Sequence, residues 1–190
     1  MITLPPVPTR LVHLPLLAIL VGLSGVLTAA MGFQYLAGEI PCPLCLLQRV
    51  AMFGICFGII RQLRHGYDPR SVGISLIWAL FLLIVAARQV LINIVARPGH
   101  AYPGSVVLGL HMPVWSVVIA VMVLLTLAAT LALFDADCSG SAQRAAMLEK
   151  IGRIAAFYVI ALCVINFISA TIQCGSGACH TTGYKLLGLD

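Results

Sequence analysis

The turn between the first two apolar stretches of the sequence reads Pro41-Cys42-Pro43-Leu44-Cys45-Leu46-Leu47-Gln48-Arg49. Two cysteines at this spacing can close a small, strained disulfide ring, and such rings exchange readily. Cys45 opens the second apolar stretch, so we expect it at a helix N-terminus, where the helix dipole favours a thiolate. Arg49 follows Cys45 by one helical turn and should project from the same helix face. The pattern predicts redox chemistry at the edge of a membrane.

The composition is that of a membrane protein. Of the 190 residues, 61% are hydrophobic and only 9% are charged, whereas soluble domains are about half apolar and about a quarter charged. We expect one compact helical unit over residues 1–190, without a separate soluble domain. The basic residues are scattered between the apolar stretches, so nothing in the sequence supports nucleic-acid binding.

Five apolar stretches are long enough to cross a hydrocarbon core of about 30 Å. They cover approximately residues 14–38, 44–60, 72–96, 112–134 and 154–172. The first is too long for the apolar region of a cleaved signal peptide, so we interpret it as a retained span. All five are interpreted as helices, because barrels show short alternating segments instead. The predicted fold class is an all-α membrane protein, a four-helix transmembrane bundle plus a fifth transmembrane helix.

The basic residues predict the orientation of these spans, because short cytoplasmic loops are enriched in lysine and arginine. With the N-terminus in the cytoplasm, the inner side holds Arg10, Arg61, Arg64, Arg70, Arg144, Lys150 and Arg153, and the outer side holds only Arg97 and Lys185. An odd number of spans then delivers the C-terminal tail to the outer side. We therefore expect Cys42, Cys45, Cys174 and Cys179 on the same non-cytoplasmic side.

Three interpretations of the Cys42 and Cys45 pair are open. A purely structural disulfide is disfavoured, since so short a loop restricts the unfolded chain very little. A zinc site would need two further ligands, which Cys174, Cys179 or His180 offer in principle. We favour a redox pair over both alternatives.

Polar residues inside the spans are the next candidates. Arg49 either holds a thiolate or an electron acceptor, or simply extends to the membrane interface. Arg88 lies well inside the third span, where a charge is costly and therefore suggests a function. Gln89 and Asn93 follow it one turn apart; their alternative role is polar contact between helices.

The C-terminal tail carries a second cysteine pair. Cys174 and Cys179 frame a short glycine-containing loop whose ends can meet. The pair is either a passive crosslink or, as we favour, a labile disulfide that an external thiolate can attack. Cys56 and Cys163, within spans, are expected to be small core residues, and Cys138 is expected to be a free thiol on the cytoplasmic side.

Three motifs resemble the disulfide bond formation protein B (DsbB) family. The most specific is Cys42-Pro43-Leu44-Cys45 followed by Gln48-Arg49 at the head of the second span. Ala86-Ala87-Arg88-Gln89-Val90 is similar to the segment that ends the family's third helix. Leu108-Gly109-Leu110-His111-Met112-Pro113-Val114-Trp115 is similar to the beginning of its fourth helix. The resemblance covers approximately residues 14–134.

The resemblance implies a four-helix enzyme of the bacterial inner membrane that reoxidises a periplasmic thiol oxidase of the DsbA type. Electrons would pass on to a membrane quinone, either ubiquinone or menaquinone. By position, Cys45 would face the quinone, Cys42 would be its partner, and Arg49 would be the cation of the quinone site. Arg88 would help Arg49 to stabilise the reduced quinone, and Gln89, the third candidate quinone-binding residue, stands where some members of the family carry histidine.

The sequence departs from the family in its cysteines. The family usually carries a second pair in the loop between spans three and four, but residues 97–111 contain no cysteine. Our hypothesis is that Cys174 and Cys179, delivered by the fifth span, replace that pair. Two alternatives remain: a DsbI-like variant with a dedicated partner, and a non-catalytic membrane protein that binds metal through the cysteines.

Overall fold

The computed structural model describes residues 10–66, 68–94, 106–133 and 146–175. Its helices are α1 (Arg10–Leu36), α2 (Pro43–His65), α3 (Pro69–Ile94), α4 (Met112–Leu133) and α5 (Ala146–Cys174), and two short strands, β1 (Val106–Val107) and β2 (Leu110–His111), precede α4. The described residues include five helices long and apolar enough to cross a membrane. The predicted all-α membrane fold is confirmed.

Helix boundaries differ from the prediction where charged residues continue a helix beyond its apolar part. α5 begins at Ala146 rather than near residue 154, and it includes Lys150 and Arg153. α2 likewise continues through Arg64 to His65. An apolar run therefore marks the membrane-embedded part of each helix and misses the turns that extend into the interface.

α2 is the central helix, and it packs against α1, α3 and α5. In its most apolar window, 61% of the residues are buried, against 28–33% in the other four helices. The other helices therefore present most of their surface outward, where exposed apolar side chains face lipid. Functional side chains on α2 are consequently enclosed by neighbouring helices.

Two glycines let α2 and α3 approach each other closely. A Cβ on Gly54 would overlap the ring of Trp78, and a Cβ on Gly58 would lie 2.8 Å from the carbonyl oxygen of Ser71. The two glycines are four residues apart on one helix face, the spacing of the small-residue motif that brings membrane helices together. This close approach fixes α3 against the part of α2 that follows the cysteine pair.

The described residues directly before α4 form a hairpin. β1 pairs antiparallel with β2, and the turn between them places Leu108 at φ 52° and Gly109 at φ 81°. Two successive residues with positive φ are typical of tight hairpin turns. The indole N–H of Trp115 donates to the carbonyl oxygen of Val107 at 2.9 Å, which ties the hairpin to the start of α4.

Candidate active site

Cys42 and Cys45 lie at the start of α2, and both are half-buried free thiols. Cys42 is the N-cap residue, with φ −68° and ψ 158°. The backbone N–H of Cys45 donates to Cys42 Sγ at 3.2 Å, which satisfies one of the donors that a helix start leaves open. The hydrogen bond with the Cys45 side chain, followed by burial, raises the pKa of the Cys42 thiol above its ordinary value. Cys42 is therefore the member of the pair that keeps its proton.

Gln89 of α3 contacts both sulfur atoms. Its side chain is only 1% exposed, and its Nε2 donates to Cys42 Sγ at 3.3 Å and to Cys45 Sγ at 3.4 Å. The orientation of this amide is fixed from behind, because Gln48 Nε2 donates to Gln89 Oε1 at 2.6 Å. Ser116 Oγ of α4 in turn donates to Gln48 Oε1 at 2.9 Å.

We call Gln48, Gln89 and Ser116 the sulfur-side network. Each donor in it points towards the cysteines, and the last donor, Gln89 Nε2, reaches both sulfurs. Hydrogen bonds donated to a sulfur stabilise its thiolate form. The arrangement can therefore support a negatively charged sulfur.

Arg49 lies one turn after Cys45 and directs its guanidinium group towards α1 and α5. Its Nη1 donates to Gln34 Oε1 at 2.6 Å and to Asn166 Oδ1 at 3.3 Å, and its Nη2 donates to the carbonyl oxygen of Ala30 at 3.0 Å. Gln34 Nε2 donates onward to Ser169 Oγ at 2.6 Å. Gln34, Arg49, Asn166 and Ser169 form the arginine-side network.

The arginine-side network keeps the charge of Arg49 inside the bundle. The side chain is only 7% exposed, so it does not simply extend along the surface to the membrane interface. A buried charge is tolerated only where hydrogen bonds compensate its desolvation. Side chains from α1 and α5 supply that compensation here.

Arg88 and Asn93 are placed differently from Gln89, although all three lie on α3. Arg88 is exposed on the outer surface of the helix. Asn93 Nδ2 donates to the carbonyl oxygen of Gln89 at 2.7 Å, a bond within its own helix. The structure thus brings Cys42, Cys45 and Gln89 into contact and leaves Arg88 on the outer face of α3.

The C-terminal end of α5 lies beside the cysteine turn. Gln173 Nε2 donates to the carbonyl oxygen of Pro41 at 2.8 Å, one residue before Cys42. The next residue, Cys174, is disulfide-bonded; its partner and Cys179 lie outside the described residues, as does Cys138. The contact brings the chain of Cys174 to the same end of the bundle as Cys42.

The two remaining described cysteines differ in their exposure to the surroundings of the bundle. Cys56 is fully buried in the core, as expected. Cys163 is exposed on α5, so its assignment to the core was wrong; the helix face that carries it is turned outward.

Within the described residues, no three His, Cys, Asp or Glu side chains group as metal ligands would. The metal-binding alternative also uses Cys174 as a thiolate ligand, and Cys174 is disulfide-bonded. The other candidate ligands, Cys179 and His180, lie outside the described residues.

Sequence reasoning missed five polar residues that support this site, namely Gln34, Ser116, Asn166, Ser169 and Gln173. Four of them interrupt an apolar span and Gln173 directly follows the fifth span, and polar residues within spans usually face the bundle interior. A search for polar residues in or next to the spans would have identified these five, but it would not have predicted which of them contact each other.

The fold and site define a class: a multi-pass helical membrane protein with a Cys-x-x-Cys dithiol at the head of its second span. Residues 12–101 match the family model described as Disulfide bond formation protein DsbB. A Disulfide bond formation protein B of Nitrosomonas eutropha is 34% identical over 79 residues, which cover 38% of this chain and 48% of that protein. Both matches are similarities to the DsbB family, and each covers less than half of this chain.

The match is narrower than the motif resemblance suggested. It ends at residue 101, so α4 and α5 lie beyond it. The chain spans about half the length of the curated relative that it matches. No solved structure matches the chain. The matched family and the matched relative are both named for disulfide bond formation.

Proposed function

We propose that this protein is a membrane thiol:quinone oxidoreductase that reoxidises a periplasmic dithiol oxidase of the DsbA type. The observation that carries the proposal is the placement of Gln89 Nε2 within 3.3 and 3.4 Å of the sulfurs of Cys42 and Cys45. Such a donor is of little use to a structural disulfide, but it stabilises the thiolate that a redox pair must form. The site lies at one end of five helices suited to cross a membrane.

The tail disulfide of Cys174 is the proposed point where electrons arrive, with Cys179 as its partner. A thiolate of the reduced oxidase attacks one tail sulfur, and its second thiol then displaces that sulfur. The oxidase leaves as a disulfide, and the tail keeps two electrons and two protons as a dithiol. The contact between Gln173 and Pro41 supports this order, because it places Cys174 at the cysteine turn.

Transfer to the second pair follows the same chemistry. A tail thiolate attacks Cys42 of the oxidised Cys42–Cys45 pair, and Cys45 leaves as a thiolate. The second tail thiol then releases Cys42 and restores the tail disulfide. Gln89 stabilises the departing Cys45 sulfur, and Cys42 takes up a proton, in agreement with its raised pKa.

We infer that a quinone binds beside Cys45. A bound quinone supplies a lipid-soluble acceptor for two electrons and two protons. Gln89 and Arg49 would hold it, since amide and guanidinium N–H groups donate to carbonyl oxygens. The positive charge of Arg49 would stabilise negative charge that develops on those oxygens.

The proposed location is the bacterial inner membrane, with the N-terminus in the cytoplasm and the cysteine turn on the periplasmic side. The described basic residues Arg61, Arg64 and Arg70 lie at the end of the bundle opposite Cys42. This distribution follows the rule that cytoplasmic loops are rich in basic residues.

Replacement of one sulfur tests the proposal. We expect Cys45→Ser, purified in lipid nanodiscs with a reduced DsbA-type oxidase and a quinone analogue, to lose quinone reduction entirely. Cys163→Ser is the matched control, because that cysteine is exposed on α5, and it should retain the wild-type rate. Quinone reduction by the Cys45→Ser protein at the wild-type rate would contradict the proposal.

The order of the two pairs has its own test. With an oxidase whose second thiol is replaced by serine, so that it cannot release itself, we expect the oxidase to be trapped as a mixed disulfide with Cys174 or Cys179. Peptide mapping by mass spectrometry identifies the trapped residue. Capture by Cys42 alone, with the tail cysteines intact, would show that the tail is not where electrons arrive.

A further inference from the structure

The fifth helix carries three buried polar side chains on one face. Asn166 and Ser169 are each 4% exposed and Gln173 is 0% exposed, whereas the neighbouring Phe167 and Ile168 are 72% and 52% exposed. Spacings of three and four residues place the polar side chains on the same side of a helix. The outer face of α5 is thus suited to lipid, and its inner face is polar.

All three side chains reach parts of the proposed active site. Asn166 Oδ1 accepts from Arg49, and Ser169 Oγ accepts from Gln34, whose Oε1 accepts from Arg49. Gln173 Nε2 donates to the carbonyl oxygen of Pro41. A helix that only anchors the chain in lipid needs no such groups, and burying them is costly unless they are paired.

We propose that α5 is a positioning element of the redox site, with Asn166 and Ser169 orienting Arg49 and Gln173 holding the turn that contains Cys42. The inference rests on the proposed function and concerns residues beyond the segment that matches the DsbB family. None of the three side chains touches a sulfur atom in any described contact. They act through Arg49 and through the backbone of Pro41.

The Gln173 contact has a defined consequence for the cysteine pair. The structure shows the contact together with two free thiols. Closing the disulfide brings the two sulfurs to about 2.05 Å, so any movement of the turn that accompanies closure works against this hydrogen bond. A hydrogen bond that holds Pro41 in its present place therefore favours the dithiol over the disulfide.

The test is the thiol–disulfide equilibrium of Cys42 and Cys45, measured in glutathione redox buffers without quinone or oxidase. Gln173→Leu removes the donor to Pro41, and loss of one net hydrogen bond should shift the equilibrium towards the disulfide by about threefold to tenfold. For a two-electron couple this corresponds to a potential more negative by about 15 to 30 mV. Thermal unfolding in detergent checks that the variant is folded.

Thr171→Val is the matched control. Thr171 is exposed on the same turn of α5, and its hydroxyl donates only to the carbonyl oxygen of Phe167 in its own helix. We expect this control to keep the wild-type equilibrium. If Gln173→Leu shifts the equilibrium no more than Thr171→Val does, the positioning role of Gln173 is wrong.

A second pair of variants keeps the inference testable if Gln173→Leu does not fold. Ser169→Ala removes the acceptor for Gln34, and Ser169→Thr keeps a hydroxyl at that position. We expect Ser169→Ala to raise the KM for a quinone analogue severalfold with little change in kcat, and Ser169→Thr to restore the wild-type KM. Equal values for the two variants would contradict the role of Ser169.

Failure of this inference can be told apart from failure of the proposed function. If wild-type Cys42 and Cys45 show no reversible thiol–disulfide equilibrium, the proposed function fails. If the wild-type pair equilibrates and the α5 variants match the control, only the positioning role fails.

Discussion

Two adjacent residues of α2, Gln48 and Arg49, lie on different faces of the helix and join different networks. Gln48 turns towards α3 and α4 and joins the sulfur-side network, whereas Arg49 turns towards α1 and α5 and joins the arginine-side network. The neutral sulfur-side network contacts both sulfur atoms through Gln89. The charged arginine-side network lies on the side of α2 that faces α1 and α5. An oriented amide, that of Gln89, therefore makes the direct contact with the sulfurs. The positive charge of Arg49 is held by a separate set of hydrogen bonds.

The two networks also differ in the helices that build them. The sulfur-side network spans α2, α3 and α4, and two of its three members lie within the segment that matches the DsbB family. The arginine-side network needs Asn166 and Ser169 of α5, which lie beyond that segment. The charged half of the site therefore depends on the additional helix.

The largest expected effect is on the arginine-side network. Arg49→Met removes the proposed stabilising charge, and we expect quinone reduction to fall about a hundredfold. Stability should fall by about 2 kcal/mol or more, because Gln34 and Asn166 lose a buried donor. Steady-state quinone assays and thermal unfolding provide the measurements.

Arg88→Met is the control for that prediction, since Arg88 lies on the same membrane side but is exposed on α3. We expect its rate to stay within about threefold of wild type. If the rate of quinone reduction falls further in Arg88→Met than in Arg49→Met, the roles assigned to the two arginines are wrong.

A somewhat smaller effect is expected on the sulfur-side network. Gln89→Met removes both hydrogen bonds to the sulfurs, and we expect the reactivity of the pair with an alkylating reagent at neutral pH to fall about tenfold. Asn93→Leu is the matched control, because Asn93 donates to the backbone of its own helix. Equal alkylation rates in the two variants would show that Gln89 does not stabilise the thiolate.

Packing between α2 and α3 sets the distance across which Gln89 reaches the sulfurs. Gly58→Ala would force a methyl group against Ser71 and Ser75, and we expect a loss of about 1–3 kcal/mol in stability. Gly73→Ala meets no atom within 4 Å and should be neutral or slightly stabilising. Thermal unfolding of both variants in one detergent makes the comparison.

The smallest effect is expected at the opposite end of the bundle. Asp68 accepts from Ser71 Oγ at 2.8 Å and from the backbone N–H of Arg70 at 3.1 Å, and these bonds lower the pKa of its carboxyl group. A lowered folded-state pKa adds stability that is present above about pH 4 and is lost as the pH falls through the folded value.

We therefore expect Asp68→Ala to cost about 1 kcal/mol near neutral pH and less as the pH falls below 4. Unfolding of both proteins across this pH range measures the difference. A constant difference at every pH would show that the carboxylate charge is not involved.

Much of the fold was predictable from the sequence because charge-free runs of sufficient length have one stable form in a bilayer. The beginning of α5 was not predictable in this way, since Lys150 and Arg153 interrupt the apolar pattern in its first turns. The close contact of α2 and α3 had a readable signal in Gly54 and Gly58, four residues apart, although their partners on α3 depend on how the two helices meet.

The active site was only partly predictable, because some of its contacts join residues that are far apart in the sequence. Cys42, Cys45 and Arg49 are local in sequence, so helical spacing related them. Arg49 and Asn166 are 117 residues apart, and nothing in either local sequence pairs them. The contact of Gln173 with Pro41 likewise depends on the tertiary packing of α5.

The most direct test of the central claim is a single-turnover measurement on the fully reduced Cys174→Ser/Cys179→Ser protein in nanodiscs, because its tail cannot return electrons to Cys42 and Cys45. Ubiquinone and menaquinone analogues are added in parallel, quinone reduction is followed by absorbance, and the remaining thiols are alkylated and mapped by mass spectrometry. The account predicts that each reduced quinone is matched by loss of the thiols of Cys42 and Cys45. Persistence of both thiols while quinone is reduced, or no reduction of either quinone, would contradict it.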